Sequence, residues 1–269
     1  MSKVCLIVCT FAPDNEPDRE KVIKRCLKSL ADLKSRYADE IFIVVWDNNS
    51  KISFQNFLKT QSWVDQLLLN DQNFFDYGAI HALSHIARKR KIPYVIYCND
   101  DIEFFDLELL KDSMELLEKC PDTGYMRLAR FDFGALHIFD KDSPHPERDL
   151  AHCQRMYNWV SKQAIEHERI EYKSPYRFYS TNMHWTLFPG LCKTDVFTAI
   201  CPSKNYRPLQ HLEGFMMKKY HKLGLNTIQL NKGVCQHLAA PDLSMRLKRP
   251  HYPVISWKKT KQILDAIEV

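Results

Sequence analysis

Two adjacent carboxylates follow a short apolar run in the middle of the sequence. Tyr94 to Cys98 is rich in β-branched and aromatic residues, which predicts a strand buried on both faces of a parallel sheet. The run ends in Asn99-Asp100-Asp101. Neighbouring carboxylates at the end of a buried strand repel each other unless a cation neutralises them, and oxygen ligands suit Mg²⁺ or Mn²⁺. The motif therefore indicates a divalent-cation site or, because Asp and Asn favour turns, a solvated turn or helix cap.

The residues before this motif alternate between strand and helix patterns. Periodicity predicts strands over 4–10, 41–46 and 66–69, and helices over 18–37 and from Asp76 onwards. This alternation predicts βαβ units and a parallel sheet. Open sheets of this kind bind ligands outside the carboxyl ends of their strands, where Asn99-Asp100-Asp101 would lie.

The second half of the sequence has weaker patterns. We predict helices over 107–119, 150–165 and 211–223, and β structure over 125–139, 226–230 and 234–238. Residues 166–182 support no assignment. The order of elements is nevertheless that of an α/β protein.

Composition excludes several classes of protein. The chain has 269 residues, 45% of them hydrophobic, which suffices for one large domain. No glycine-rich loop follows the first predicted strand, which argues against a Rossmann dehydrogenase or a kinase. No signal peptide and no apolar stretch of ~20 residues is present, so we expect a soluble, cytoplasmic protein. The nine cysteines show no C-x-x-C pair and are expected to be reduced core residues.

Positive charge is concentrated near the end of the sequence. The net charge of +5 is mild and gives no reason to expect nucleic-acid binding. Between Ser244 and Leu264, however, the sequence has six Lys and Arg residues and no acidic residue. This basic segment is either a solvated face or a surface that contacts anionic lipids peripherally.

Five motifs in order resemble the nucleotide-sugar glycosyltransferases of GT-A fold, most nearly those of family 2. They are V-C-L-I-V-C-T-F, I-F-I-V-V-W-D-N-N-S, Y-V-I-Y-C-N-D-D-I, L-E-G-F and V-C-Q-H-L, and the resemblance covers about residues 3–240. It implies a single GT-A-like domain over 1–243, with a mostly parallel central sheet flanked by helices. Residues 1–105 would bind the nucleotide-sugar and 106–243 the acceptor. The basic segment, 244–269, would then be a flap that closes over the donor diphosphate.

The resemblance also implies a set of donor-binding residues. Thr10 and Asp47 would lie beside the nucleobase, with Asp47 accepting a hydrogen bond from a ring N–H. We place Phe11 and Gly78 in the same donor-binding group. For Asp47 the sequence leaves open a simpler role, in which its side chain binds the backbone of its own turn.

The metal-binding D-x-D motif of the family corresponds to Asn99-Asp100-Asp101. Because Asn99 replaces the first acid, the resemblance implies that Asp101 is the direct ligand of Mn²⁺ or Mg²⁺, while Asn99 and Asp100 contact the donor. His237 matches the position of a further metal ligand, although a histidine in an apolar stretch is as often a core residue.

The acceptor half contains a candidate general base. Glu213, in His211-Leu212-Glu213-Gly214, matches the acidic base of family 2 enzymes, although such enzymes usually have two adjacent acids here. A glutamate stabilised in the first turn of a helix is the alternative. Trp185 is a candidate wall for the acceptor sugar, or else a core residue.

The implied function is the metal-dependent transfer of a sugar, with inversion, from a nucleoside diphosphate sugar to the hydroxyl of a glycan or another acceptor. Among the donors, the resemblance favours a UDP-sugar. Two alternatives remain open. One is a sugar-phosphate nucleotidyltransferase, which uses a similar sheet and Mg²⁺. The other is a degenerate transferase domain that binds a nucleotide-sugar without turnover, which Asn99 and Gly214 suggest.

Overall fold

The computed structural model describes residues 2–105, 108–128, 158, 161, 163–183, 186–187, 189–202, 209–230, 234–238, 262 and 265–267. These residues form two compact units. The first consists of the described residues up to Phe104 and from His237 onwards, and the second of those from Phe105 to Gln236. The assignment of donor and acceptor functions to residues 1–105 and 106–243 stays a prediction.

The first unit contains a parallel sheet. Its strands are β1 (Val4–Thr10), β2 (Ile41–Asp47), β3 (Gln66–Leu69) and β4 (Tyr94–Asn99), followed by the short β5 (Ile102–Phe104). The strand order β3-β2-β1-β4 is parallel throughout, with Thr10 beside Asp47 and Cys9 beside Asn99. The carboxyl ends of β1, β2 and β4 therefore lie at one edge, and the parallel arrangement predicted for this part of the chain is confirmed.

Among the described residues before Phe104, the first unit has the helices α1 (Pro17–Arg36), α2 (Ile52–Lys59) and α3 (Phe75–Lys89). The predicted stripe of apolar residues on α1 is buried, as in Ile23, Leu27 and Leu30. Helix α2 was not predicted, because eight residues are too few to show a helical period reliably.

The second unit has shorter elements. Its helices are α4 (Leu109–Lys119), α5 (Thr194–Ile200) and α6 (Leu209–Lys222). Its strands are β6 (Thr123–Arg127), β7 (His167–Ile170), β8 (Phe178–Thr181), β9 (Gly190–Lys193) and β10 (Asn226–Leu230), in the order β9-β6-β10-β8-β7. The last strand, β11 (Cys235–His237), ends where the chain returns to the first unit.

The prediction of a mostly parallel sheet is wrong for the second unit. The pairs β6–β9, β8–β10 and β7–β8 are antiparallel, and β6–β10 is parallel, so the sheet is mixed. For the pair β7–β8, the reason is the length of the connection. Only residues 171–177 join β7 to β8, which is too short for the crossover that a parallel pair requires.

The bounds of two predicted elements differ from those in the structure. The helix predicted over 150–165 is wrong at its end, because residues 163–165 are irregular and β7 begins at His167. The β structure predicted over 125–139 is confirmed for β6, and its remainder lies mostly outside the described residues. None of the described helices combines the length and hydropathy that a membrane span requires.

Candidate donor site and candidate base

Asp47 ends β2, and its carboxylate binds only groups of its own chain. It is fully buried and accepts hydrogen bonds from the Thr10 hydroxyl (3.0 Å) and the Gln55 side-chain amide (3.2 Å). It also accepts from the backbone N–H of Ser50 (2.9 Å) and from the Ser50 hydroxyl. Four donors are about as many as a carboxylate can accept. A nucleobase N–H could bind here only by displacing one of them, so the nucleobase role of Asp47 stays a prediction, while the turn contact left open by the sequence is present.

Asn48, which the sequence analysis did not single out, connects β2 to the start of α3. Its side-chain oxygen accepts from the Trp46 indole (2.9 Å) and from the Phe74 N–H (3.0 Å), and its amide donates to the Phe75 carbonyl (3.2 Å). Phe75 has a positive φ of 54°, a conformation that costs energy for a residue with a large side chain. The Asn73 side chain also accepts from the Phe75 N–H (2.7 Å), so two asparagines stabilise this turn.

Gly78 lies in the first turn of α3, against the end of β2. A Cβ atom at this position would lie 2.3 Å from Cζ2 of Trp46 and 2.8 Å from Cβ of Phe74. Only glycine therefore allows α3 to approach β2 this closely. Gly78 has a packing role, and its predicted contact with the donor stays a prediction.

Asp100 follows β4 and is bound on both oxygens. Its Oδ2 accepts from the backbone N–H of Phe11 (2.9 Å), and Nη2 of Arg19 donates to Oδ1 (2.8 Å) and Oδ2 (3.1 Å). Burial raises the pKa of Asp100 to about 7, with the Arg19 guanidinium opposing this rise and the charge of Asp101 adding to it. Arg19 also donates from Nε to the Phe11 carbonyl (2.7 Å). Arg19 was not predicted as a site residue, because a cation in the first turn of a helix is normally solvated.

Asp101 is the predicted metal ligand. It lies two residues after Asn99, the last residue of β4. It is partly exposed, and its carbonyl accepts from the Leu238 N–H (2.6 Å), which brings the end of β11 to the motif. His237 precedes Leu238, but its side chain lies outside the described part of the chain. Within that part, no group of three or more His, Cys, Asp or Glu residues could hold a metal ion.

A nucleotide-bound cation does not need such a group. Mg²⁺ in nucleotide sites typically takes one or two carboxylates, substrate phosphates and water, and the family resemblance extends this to Mn²⁺. A partly exposed Asp101 at the sheet edge fits that requirement. Asp100 fits it poorly, since Arg19 and Phe11 already occupy its oxygens.

Glu213 lies in the second unit, on α6. Its Oε1 accepts from the backbone N–H of Leu187 (3.0 Å), and its side chain is partly exposed. Helix α6 begins at Leu209, two residues before the predicted start, so Glu213 is not in the first turn and the helix-dipole alternative is wrong. The neighbouring Gly214 has open space, since a Cβ atom there would meet nothing within 4 Å.

Two further candidates cannot be placed. Trp185, the predicted acceptor wall, lies outside the described residues. So does most of the basic segment, whose predicted roles as a flap or a lipid contact stay predictions. Within this segment, Ile267 is described and is 4% exposed, so this residue is buried.

No protein-family model matches the sequence, and a comparison with curated proteins finds no significant match. Solved structures do match. The mannosyltransferase PcManGT from Pyrobaculum calidifontis, in complex with GDP-Man and Mn²⁺, is similar with a TM-score of 0.55 and 12% identity, over 98% of this chain and 68% of that one. S. aureus TarS 1–349 in complex with UDP-GlcNAc is similar with a TM-score of 0.52 and 14% identity, over 98% of this chain and 65% of that one.

The chain has the GT-A fold. A second structure of TarS 1–349 agrees, with a TM-score of 0.51 and 16% identity over 87% of this chain, and this chain spans 60% of its length. The GT-A fold implied by the sequence motifs is therefore confirmed. An identity of 12–16% shows the common fold alone, and substrates have to be argued from the residues of this chain.

Proposed function

We propose that this protein is a glycosyltransferase that moves a sugar from a nucleoside diphosphate sugar to an acceptor hydroxyl, with inversion at the sugar carbon. One observation carries the proposal. In a chain of GT-A fold, the parallel strands β1, β2 and β4 bring Thr10, Asp47 and the Asn99-Asp101 motif to one edge of a sheet. That edge is where open α/β sheets bind nucleotides.

The metal-binding part of the proposal assigns Asp101 to a divalent cation. When bound, Mn²⁺ or Mg²⁺ would stabilise the negative charge of the departing nucleoside diphosphate. Asp101 would hold the cation at the end of β4, with Asn99 contacting the donor. The Mn²⁺ in the mannosyltransferase complex supports the choice of metal.

The catalytic part assigns the general base to Glu213. The Leu187 N–H binds Oε1, and none of the described residues donates to Oε2. One oxygen is thus fixed by the backbone while the other can accept a proton from the acceptor hydroxyl. A base that activates the acceptor on the face opposite the leaving group gives inversion.

The donor is proposed by class. TarS is described with UDP-GlcNAc and the mannosyltransferase with GDP-Man, so nucleoside diphosphate sugars are the ligands of both similar structures. We propose a UDP-sugar as the first donor to test and a glycan as the first acceptor. Trp185 would contact the acceptor sugar, and the basic segment 244–269 would contact the donor diphosphate.

The test is a screen of UDP-, GDP- and dTDP-sugars with a panel of glycan acceptors, with and without Mn²⁺. We expect release of a nucleoside diphosphate and a metal-dependent rise in melting temperature with the matching nucleotide, since a ligand that binds only the native state stabilises it. Release of pyrophosphate from a nucleoside triphosphate and a sugar phosphate would indicate a nucleotidyltransferase instead. Donor binding without turnover on any acceptor would indicate a binding domain.

A further inference from the structure

Arg19 and Asp100 form an ion pair at the edge of the sheet where the nucleotide is proposed to bind, with Asp100 buried and Arg19 partly exposed. We propose that this pair, the Arg19–Asp100 latch, fixes the loop 11–16 against the end of β4 and that Arg19 is thereby a positioning residue for the nucleotide. On this inference the carboxylate of Asp100 binds the loop and does not bind the metal. The reference to a nucleotide rests on the proposed function, whereas the latch itself does not.

The geometry closes a ring around Phe11. Its N–H donates to Oδ2 of Asp100 (2.9 Å), and its carbonyl accepts from Nε of Arg19 (2.7 Å). Nη2 of Arg19 completes the ring through Oδ1 of Asp100 (2.8 Å). Each partner therefore holds one polar group of the Phe11 backbone, and loss of either partner weakens the contacts of the other.

The loop is also held at the next residue, from the side of β2. The Ala12 N–H donates to the Ser50 hydroxyl (2.8 Å), and the Ala12 carbonyl accepts from the Lys51 N–H (2.9 Å). The Ser50 hydroxyl in turn donates to Asp47. Phe11 is thus held by the end of β4 and Ala12 by the end of β2, so the loop cannot shift without breaking one of the two contacts.

Asp100 cannot also bind a metal without a large cost. Its side chain is 5% exposed, and both oxygens accept charge-assisted or backbone hydrogen bonds. A cation would have to displace the Arg19 guanidinium, leaving a largely buried positive charge beside a second one. Asp101, the next residue, is partly exposed.

The chain offers a matched control on the same helix. Arg25 forms a two-bond ion pair with Glu103 of β5, at 2.7 and 2.6 Å, but its side chain is 60% exposed. It resembles the latch in chemistry and differs in burial, and its guanidinium binds Glu103 and not the backbone of the loop. Exposed pairs of this kind contribute little to stability.

The first experiment measures hydrogen exchange of the loop 11–16 without any ligand. We expect Arg19→Met and Asp100→Ala each to raise the exchange of these amides about 10-fold or more, with the double variant no faster than the faster single one. Arg19→Lys should be intermediate and Arg25→Met unchanged. Unchanged exchange in Arg19→Met, or additive effects in the double variant, would overturn the latch. Asp100→Asn takes the place of Asp100→Ala if the alanine variant does not fold.

The second experiment separates the latch from the metal site by steady-state kinetics. We expect Asp100→Asn and Arg19→Met to raise the donor KM about 10-fold and to leave the Mn²⁺ concentration for half-maximal activity within about twofold. Asp101→Asn should raise that concentration more than about 10-fold. An equal rise in Asp100→Asn would show that Asp100 ligates the metal. If no donor is turned over, the proposed function fails while the exchange experiment still decides the latch.

Discussion

The acidic residues of the two candidate sites are held in different ways. In the first unit, Asp47 and Asp100 are almost completely buried, and both carboxylate oxygens of each accept hydrogen bonds from the chain itself. In the second unit, Glu213 is partly exposed, and the one hydrogen bond that it accepts from the described residues comes from the Leu187 N–H. Next to it, Gly214 leaves open space.

This difference bears on which carboxylates can have the proposed catalytic roles. A carboxylate whose lone pairs are all occupied can fix a loop, but it has no capacity left for a substrate proton or a cation. A base needs at least one accessible oxygen. Asp47 and Asp100 are therefore bound within the chain, whereas the partly exposed Asp101 and Glu213 keep their proposed roles as metal ligand and general base.

The largest expected effect comes from Asp101. Asp101→Asn should lower kcat/KM by about 10³-fold, equivalent to about 4 kcal/mol of transition-state stabilisation, because the metal loses its anionic ligand beside the diphosphate. The measurement is initial rate against Mn²⁺ concentration for the wild type and the variant. Full wild-type activity in excess chelator would contradict the assignment of a metal to this site.

Glu213→Gln should have the next largest effect. The amide keeps the shape of the side chain but cannot accept a proton, so kcat should fall by about 10²-fold while the donor affinity stays nearly constant. Glu115→Gln is the control, because Glu115 lies in the same unit and accepts a hydrogen bond from the Tyr172 hydroxyl. If Glu213→Gln lost donor binding and kept its kcat, Glu213 would be a donor-side residue.

A buried histidine of the first unit, His81, should make the free energy of unfolding depend on pH. Burial lowers the pKa of His81 on α3 from its ordinary 6.5 to about 4. The folded state therefore binds a proton on His81 less readily than the unfolded state does. Neutral His81 costs no stability above pH 6.5, and the free energy of unfolding falls as the pH is lowered from 6.5 towards 4.

Denaturant unfolding at pH 7 and pH 4.5 tests this prediction. The His81 contribution should amount to roughly 2–3 kcal/mol of the stability lost between these two values. His81→Gln should lose less stability than the wild type over the same interval. An identical loss in both proteins would show that His81 titrates normally in the folded state.

Two glycine substitutions have the smallest expected effects, and they compare the packing of the two units directly. Gly78→Ala should lower the free energy of unfolding by about 2 kcal/mol, because its Cβ would overlap the Trp46 ring. Gly214→Ala should raise it by about 1 kcal/mol, since the site is open and alanine is the better helix former. Both values come from denaturant unfolding, and a destabilised Gly214→Ala would mean that the space beside the candidate base is filled.

The sequence by itself determined the elements whose patterns are local. Uninterrupted apolar runs predicted β1, β2 and β4, and the 3.6-residue period of buried positions such as Ile23, Leu27 and Leu30 predicted α1. Five motifs in order also indicated the GT-A fold. These features depend on neighbours in the chain, or on the order of motifs along it, and so they can be read without a structure.

Only the tertiary structure decided the contacts of the site. Arg19 meets Asp100 across 81 positions of sequence, and Thr10 meets Asp47 across 37, so no local pattern reveals that both carboxylates are occupied. The antiparallel strands β7 and β8 were likewise hidden, because each has four residues and is stabilised by its partner strand. Packing brings together hydrogen-bond partners that are far apart in sequence, and this is why residue types predicted a candidate site whereas only the structure shows what Asp47 and Asp100 bind.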